Sequence, residues 1–278
     1  MTTLRNLLAI LGAVLLGFLL LRSFLGTGEN TPFPDRPTES LVGEAVITEG
    51  RIPETDYDLP GERMDLRAWD VQNFPLALLA ESPEADAAFY GLNENTALVR
   101  WGNSLAEFDW SFVTPRSIPP RIWRLDLDDD WQDELIIDCY VDGGTGVSIE
   151  ELHVIEKNAD DTLTDFAFPE TLWKEQILEM AWLSSSGGYR AYVQMGEDMV
   201  EFRTENIASG DHSPESIRQH FGTSEVAYFE SANGGLRLNG SFCLETEDNG
   251  GLHTVADYSA SISYQDGAFL LTDFHVSK

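Results

Sequence analysis

The segment from Val226 to Lys278 reads VAYFESANGGLRLNGSFCLETEDNGGLHTVADYSASISYQDGAFLLTDFHVSK and predicts consecutive antiparallel strands. Three turn signals interrupt it, namely Asn233-Gly234-Gly235, Asn249-Gly250-Gly251 and Asp266-Gly267. Such pairs adopt the positive φ angles that tight hairpin turns require. We therefore expect the C-terminal third of the chain to form a meander.

Hairpin signals continue toward the N-terminus. Asn93-Glu94-Asn95 and Gly196-Glu197-Asp198 each lie between two runs that are rich in β-branched, aromatic or alternating apolar residues. No internal repeat of fixed period occurs, which argues against a solenoid or a propeller of near-identical blades. Strand signals thus outnumber helix signals beyond residue 60.

Two segments predict helices. Leu172 to Leu183 places Leu172, Trp173, Ile177, Met180 and Ala181 near one face. Pro214 to Phe221 follows Ser213, a good N-cap, and has Pro at its first position. The predicted fold class is therefore mainly β, with α+β as the alternative: antiparallel hairpins and a meander with two short helices, preceded by one N-terminal transmembrane helix.

The N-terminal region predicts a membrane anchor. Leu7 to Leu21 is an unbroken apolar run that continues past Arg22 to Leu25, and nineteen helical residues span about 28 Å, close to the hydrocarbon thickness of a bilayer. A cleaved signal peptide is the alternative, because Arg5 precedes the apolar core, but no Ala-x-Ala cleavage site follows. We expect a single-pass signal anchor at residues 7–25 after a short tail at 1–6, with the C-terminal part outside the cytoplasm.

An acidic, proline-containing segment follows the anchor. Residues 26–60 are expected to form a linker that holds the folded domain, residues 61–278, away from the membrane, because prolines and acidic residues extend a chain and contribute little to a core. A short strand around Glu44 to Ile47 is an exception that could dock onto the domain.

Composition limits the partners. The chain has 48 Asp and Glu against 17 Lys and Arg, a formal net charge of -31, so it repels phosphate backbones and we expect no nucleic-acid binding. The composition is compatible with a cationic, protein or carbohydrate ligand. The simpler interpretation is that the acidity only keeps the domain soluble. The two cysteines, Cys139 and Cys243, could form one disulfide outside the cytoplasm or be two small buried apolar residues.

One loop carries recognisable chemistry. Within Leu125 to Ile137, Asp126, Asp128, Asp130 and Glu134 fall at relative positions one, three, five and nine, and this spacing lets oxygen ligands converge on calcium. The twelfth position is Ile137, where an EF-hand requires a bidentate Glu, and a strand is expected to follow in place of a helix. We predict a candidate calcium site at these four residues, with a solvated acidic turn as the alternative.

The loop resembles the calcium loops of FG-GAP and VCBS-type repeats of extracellular proteins, whose pattern is Asp-x-Asp-x-Asp-Gly-x-x-Asp or Glu before an apolar strand. Trp131 stands where those loops have the Gly that permits a positive-φ bend, so closure around an ion is expected to be strained.

A second resemblance extends over most of the domain. The stretches that carry it include Phe89-Tyr90-Gly91-Leu92, Phe108-Asp109-Trp110, Gly143-Gly144-Thr145-Gly146 and Tyr264-Gln265-Asp266-Gly267. They are similar to a group of uncharacterised secreted or membrane-anchored proteins of Gram-positive bacteria. This resemblance implies a surface location and supplies no activity.

Three function classes are compatible with these features. The first is a membrane-anchored extracytoplasmic binding or sensing module with one structural calcium ion, without catalytic residues. The alternative is an extracytoplasmic hydrolase acting on carbohydrate or peptidoglycan, which needs two close carboxylates that the sequence cannot select among 48. A membrane-tethered adaptor facing the cytoplasm is the third possibility.

Overall fold

A computed structural model of the protein describes residues 42–70, 72–73, 75–112, 117–144, 147–247 and 251–278. The predicted tail at 1–6, the anchor at 7–25 and the first part of the linker lie outside these residues. Among the helices within them, none is long and apolar enough to cross a membrane.

The described ranges contain seventeen strands, two α-helices and a short 3-10 helix at Leu66–Ala68. The strands are β1 Gly43–Glu44, β2 Val46–Glu49, β3 Ala77–Ser82, β4 Ala87–Asn93, β5 Thr96–Trp101, β6 Ser104–Phe108, β7 Arg121–Leu125, β8 Glu134–Gly144, β9 Val147–Lys157, β10 Leu163–Phe168, β11 Trp182–Gly187, β12 Arg190–Met195, β13 Asp198–Arg203, β14 Phe221–Ala232, β15 Gly235–Glu245, β16 Leu252–Gln265 and β17 Ala268–Ser277. The helices are α1 Glu170–Met180 and α2 Pro214–His220.

The strands form three sheets. Ten strands make the largest, in the order β1-β17-β16-β15-β14-β9-β10-β2, with β7 and β8 joined to it through β9. Strands β3 to β6 and β11 to β13 form a four-stranded and a three-stranded sheet. Neighbours are antiparallel except β9 and β14, which pair in parallel at Val226 and Ser148. The mainly β prediction is confirmed.

The C-terminal meander is confirmed by the continuous antiparallel pairing of β14, β15, β16 and β17. Two of its three turns have the predicted geometry: φ is positive at Asn233 and Gly234, and again at Asp266 and Gly267. The turn predicted at Asn249-Gly250-Gly251 lies in part outside the described residues. The hairpins predicted at Asn93 to Asn95 and at Gly196 to Asp198 are present as β4–β5 and β12–β13.

The first helix differs from its prediction at the C-terminal end. It stops at Met180, Ala181 is extended, and Trp182 begins β11, where it pairs with Gln194. The apolar periodicity continues to Leu183, but Trp182 and Leu183 pair with Gln194 and Val193 in β12 instead. The second helix is confirmed, since Ser213 caps it by accepting a hydrogen bond from the backbone N–H of Ser216 at 3.2 Å.

Strand β8 separates two hydrophobic cores. Because side chains alternate across a strand, Ile136 packs with α1 and the meander, whereas Leu135, Ile137 and Cys139 pack beneath the four-stranded sheet. The 11 residues of β8 begin directly after the acidic loop, so this doubly buried strand anchors the loop to both cores.

The predicted docking of a strand near Glu44 to Ile47 takes place. β1 pairs with β17, and β2 pairs with β10 at an edge of the large sheet. These residues fall within the predicted 26–60 linker, so the C-terminal part of that segment contacts the domain. The remaining domain boundaries stay predictions.

Candidate metal centre

The acidic loop, residues 126–133, connects β7 to β8. The two strands are antiparallel, and Leu125 lies opposite Glu134 at the base of the loop. Because pairing extends to this position, the sheet fixes both ends of the loop. The strand predicted to follow the loop is confirmed.

Three of the four predicted ligands come together in the loop. Asp126, Asp128 and Asp130 each offer a carboxylate oxygen, and these oxygens lie within 4.8 Å of one another. Asp126 and Asp128 are half-buried, whereas Asp130 is exposed. The alternating spacing in the sequence therefore does place three hard oxygen donors on the inside of one turn.

Backbone N–H groups of the loop hold these carboxylates. Asp126 accepts hydrogen bonds from Asp130 N at 3.1 Å and from Trp131 N at 3.2 Å. Asp128 accepts one from Asp130 N at 3.2 Å, and Asp130 accepts one from Gln132 N at 2.7 Å. Such bonds fix the directions of the carboxylates but leave their second lone pairs for another partner.

Glu134 is the first residue of β8 and is 4% exposed. It accepts a hydrogen bond from Leu127 N at 2.7 Å and is not within the 4.8 Å group. Burial raises the pKa of Glu134 to about 7, and the charges of Asp128, Asp126 and Asp130 act in the same direction. The fourth predicted ligand therefore supports the loop backbone and is electrostatically linked to the cluster.

Asp266 is a further acid near the cluster that the spacing did not predict. It sits in the β16–β17 turn, and its charge contributes, after burial and the other loop acids, to raising the pKa of Asp128. No ion pair recorded between described residues involves Asp126, Asp128, Asp130 or Glu134, and the neighbouring Arg124 instead pairs with Asp133 at 2.7 Å. Among the described residues, the three clustered aspartates and Glu134 thus have no ion pair that offsets their charge.

Trp131 adopts the bend that a glycine would provide. Its φ is 74°, in the left-handed region, and Asp129 has a φ of 61°. A residue with a Cβ pays about 1 to 2 kcal/mol in this region. The expected strain is present, yet the loop reaches the turned conformation with the aspartates facing inward.

A shallow groove of ≈ 850 Å³ lies beside the loop. Its walls come from four turns: the β3–β4 turn, the β5–β6 turn, the acidic loop and the β9–β10 turn. Trp131 stands at this groove and is 94% exposed. Loops gathered at one end of a β-sheet domain are common positions for ligand binding.

A close carboxylate pair that the sequence could not select lies elsewhere, on β8 and β9. Arg121 bonds both Asp138 and Glu150, and Glu150 also accepts a hydrogen bond from Phe229 N at 3.0 Å. Burial and the charge of Glu150 raise the pKa of Asp138 to about 8, and burial raises the pKa of Glu150 as well. The sequence signal for this pair is Asp138, an acid within the apolar run of β8. Its partner Glu150 could not be identified from the sequence, because their contact depends on the register between β8 and β9.

His153 and Asp165 form a second buried polar pair. His153 Nδ1 is 2.9 Å from an Asp165 oxygen, and Trp110 Nε1 donates to the same oxygen at 2.9 Å. The His153 and Trp110 rings stack with centroids 3.9 Å apart. His153 and Asp165 are 2% and 1% exposed, so this group braces the packing of β9 and β10.

The cysteines are separate thiols. Cys139 and Cys243 are both free and buried. Cys139 belongs to the core beneath the four-stranded sheet, whereas Cys243 lies on β15, where its Sγ is 3.9 Å from Thr254 Oγ1. The alternative of two small buried apolar residues is therefore the one that the structure shows.

Comparisons with known proteins supply no relative: no family model, no curated protein and no solved structure matches the chain.

Proposed function

We propose that this chain is a membrane-anchored extracytoplasmic binding module whose acidic loop holds one structural calcium ion. The observation that supports it is the convergence of Asp126, Asp128 and Asp130, whose oxygens lie within 4.8 Å of one another. None of the three aspartates forms an ion pair with a basic side chain among the described residues. A divalent cation would therefore offset the repulsion between their negative charges.

The donor chemistry favours calcium over other metals. All the candidate donors are carboxylate oxygens, which hard cations prefer, whereas zinc in proteins takes mainly His nitrogen and Cys sulfur. Calcium accepts six to eight oxygens in a flexible arrangement, and loop carbonyls and water commonly complete the set. Magnesium demands a tighter octahedron and is less suited to a surface loop of this kind.

The ion would act on structure and not on chemistry. The loop connects β7 to the doubly buried β8, and its carboxylates already bond Asp130 N and Trp131 N. Neutralising the cluster would fix the backbone that presents Trp131 to the groove. The proposed role of calcium is therefore to order a binding surface.

The hydrolase alternative has weaker support. It needs two close carboxylates on an accessible groove, one of them with a raised pKa. Asp138 and Glu150 meet the pKa requirement, but the Asp138 side chain is 1% exposed and neither residue lines the groove beside the acidic loop. We therefore interpret Asp138 and Glu150 as a buried structural pair.

The membrane location rests on the sequence. The apolar run at 7–25, the acidic linker after it and the resemblance to secreted or membrane-anchored Gram-positive proteins all support an anchored domain outside the cytoplasm. Protease added to intact cells that express the full chain tests this orientation. Digestion of the domain without cell lysis agrees with the proposal, and digestion only after lysis supports the cytoplasmic adaptor.

Calorimetric titration of the full chain with calcium tests the ion itself. We expect one calcium per chain for the wild type and for Asp129→Asn, which removes a loop charge outside the cluster and keeps a residue that tolerates positive φ. Asp128→Asn keeps the shape and the acceptor oxygen but loses the charge, so its affinity should fall at least tenfold. Absence of binding to the wild type, or equal losses in both variants, contradicts the calcium proposal.

A further inference from the structure

The groove beside the acidic loop has features of a ligand-binding site, and the calcium proposal does not say which ligand it binds. Its ≈ 850 Å³ falls in the usual range for small-molecule sites, which is about 300 to 1,000 Å³. It is built from four turns that the strands of two sheets hold in place, so its walls are fixed by the scaffold.

Trp131 provides an exposed aromatic face at this groove. Tryptophan usually buries most of its large apolar surface, yet Trp131 is 94% exposed. Its main chain is held by the bond from Trp131 N to Asp126 and by a φ of 74°. An indole that is left in water on a fixed backbone offers a large apolar face, and covering this face with a ligand is favourable.

The polar groups at the groove are oriented by the protein. The Gln132 amide donates to Asp130 at 2.9 Å, and the Asn158 amide donates to Thr162 and Thr164, each at 2.9 Å. Lys157 Nζ donates to Trp101 O at 3.0 Å and lies 4.9 Å from the centre of the Trp101 ring. These side chains offer preset hydrogen-bonding directions around the indole.

Charge at the groove is balanced. The charged side chains among its described lining residues are Asp86, Arg124, Asp133 and Lys157, two of each sign. Asp133 pairs with Arg124 at 2.7 Å, and Asp86 pairs with Arg100 at 2.9 Å. The acids that line the groove are thus paired, and the proposed calcium ion would offset the adjacent aspartate cluster, so a polycationic ligand is disfavoured. The overall field of a chain of net charge -31 repels polyanions.

We infer that this groove binds a neutral oligosaccharide, with Trp131 stacking on the apolar C–H face of one sugar ring. The ring hydroxyls would meet the oriented amides of Gln132 and Asn158 and the ion pair of Arg124 with Asp133. Neutral sugars combine an apolar face with a rim of hydroxyl groups, which matches an indole surrounded by balanced polar groups. This inference rests on the proposed binding function and names its ligand class.

Variants at position 131 separate the indole from the fold. Trp131→Gly removes the platform and suits the positive φ, Trp131→Tyr keeps an aromatic ring, and Trp182→Ala removes a 43% exposed tryptophan on β11 that does not line the groove. Thermal melts of all the variants in calcium establish that they are folded before binding is compared.

The test uses the full chain, purified in a detergent without a sugar headgroup, on an array of neutral and anionic oligosaccharides, followed by calorimetry with the neutral sugar that binds best. We expect binding to neutral sugars only, weakened on the order of 30-fold in Trp131→Gly, as for a buried aromatic contact. It should be largely retained in Trp131→Tyr and unchanged in Trp182→Ala.

Three results overturn the inference: no neutral sugar binds, only anionic sugars bind, or Trp131→Gly binds as well as the wild type. Calcium titration of the same preparations keeps this failure distinct from failure of the proposed function. If the wild type binds calcium but no sugar, only the inference about the saccharide ligand is rejected. If the wild type does not bind calcium, the proposed calcium-ordered binding module is rejected.

Discussion

Asp126 Oδ2 accepts a hydrogen bond of 3.2 Å from the backbone N–H of Trp131, so the first acid of the loop holds in place the residue that stands at the groove. The same carboxylate belongs to the 4.8 Å cluster. Any ion that engages Asp126 therefore also acts on the backbone of Trp131, and this contact joins the proposed metal centre to the proposed binding surface.

Trp131→Gly should stabilise the loop. Gly adopts a φ of 74° without the Cβ penalty of about 1 to 2 kcal/mol, partly offset by its larger unfolded-state entropy. Urea unfolding in calcium should show Trp131→Gly about 1 kcal/mol more stable than Trp131→Ala, which loses the indole but keeps the penalty. Equal stability of the two variants would show that the bend carries no strain.

Asp165→Asn should destabilise the protein and reduce its pH dependence. Burial lowers the pKa of His153, but the adjacent Asp165 outweighs it and the net pKa is raised above 6.5. A raised histidine pKa stabilises the fold below the unfolded value and loses that contribution as the pH rises through the folded value. Breaking the pair should cost about 3 kcal/mol at pH 6 and less at pH 9.

Urea unfolding at both pH values measures this loss, with Asp161→Asn in the β9–β10 turn as the exposed control. A loss that is the same at both pH values would show that His153 is neutral in the folded protein.

Asp138→Asn tests the buried carboxylate pair. The pKa of Asp138 is raised from 3.8 to about 8, so the folded state prefers the protonated form, and the contribution of this group to stability falls as the pH rises from 3.8 toward 8. An amide imitates the protonated acid, so the variant should lose less stability than the wild type between pH 5 and pH 8.

Thermal melts across this range provide the measurement, with exposed Asp142→Asn on the same strand as the control. If Asp138→Asn and the wild type keep parallel profiles, Asp138 is ionised throughout and Arg121 alone compensates its charge.

The thiols should be unreactive until the protein unfolds. Cys139 and Cys243 are buried and free, and burial raises the pKa of both. A maleimide reagent should label neither residue in the folded chain and both in urea, without prior reduction. Labelling that requires a reductant would reveal a disulfide and contradict the structure, in which both thiols are free.

Local signals predicted much of the fold. Asn-Gly and Asp-Gly turns, the Ser213 cap and alternating apolar runs act over a few residues, and the hairpins, the second helix and the meander followed from them. The end of the first helix was wrong because Trp182 pairs with Gln194 in the β11–β12 hairpin, and the helical periodicity of the apolar residues does not reveal this pairing.

The candidate site shows the same limit. Spacing within one turn predicted the cluster of Asp126, Asp128 and Asp130. Asp266 acts on the charge of Asp128 from the β16–β17 turn, and the groove combines four turns, so neither feature has a local sequence pattern. The pairing of Asp138 with Glu150 likewise depends on strand register, which the sequence leaves open.

The most direct test of the central claim is a thermal melt of the full chain in excess calcium and in chelator, repeated on Asp128→Asn. Calcium at roughly 100 times its dissociation constant should stabilise the wild type by about 2.7 kcal/mol, a rise in Tm of several degrees. Asp128→Asn, whose affinity is expected to be at least tenfold lower, should gain no more than about 1.4 kcal/mol from the same calcium concentration. Coinciding wild-type curves would contradict the account and leave the acidic loop as a solvated turn between β7 and β8.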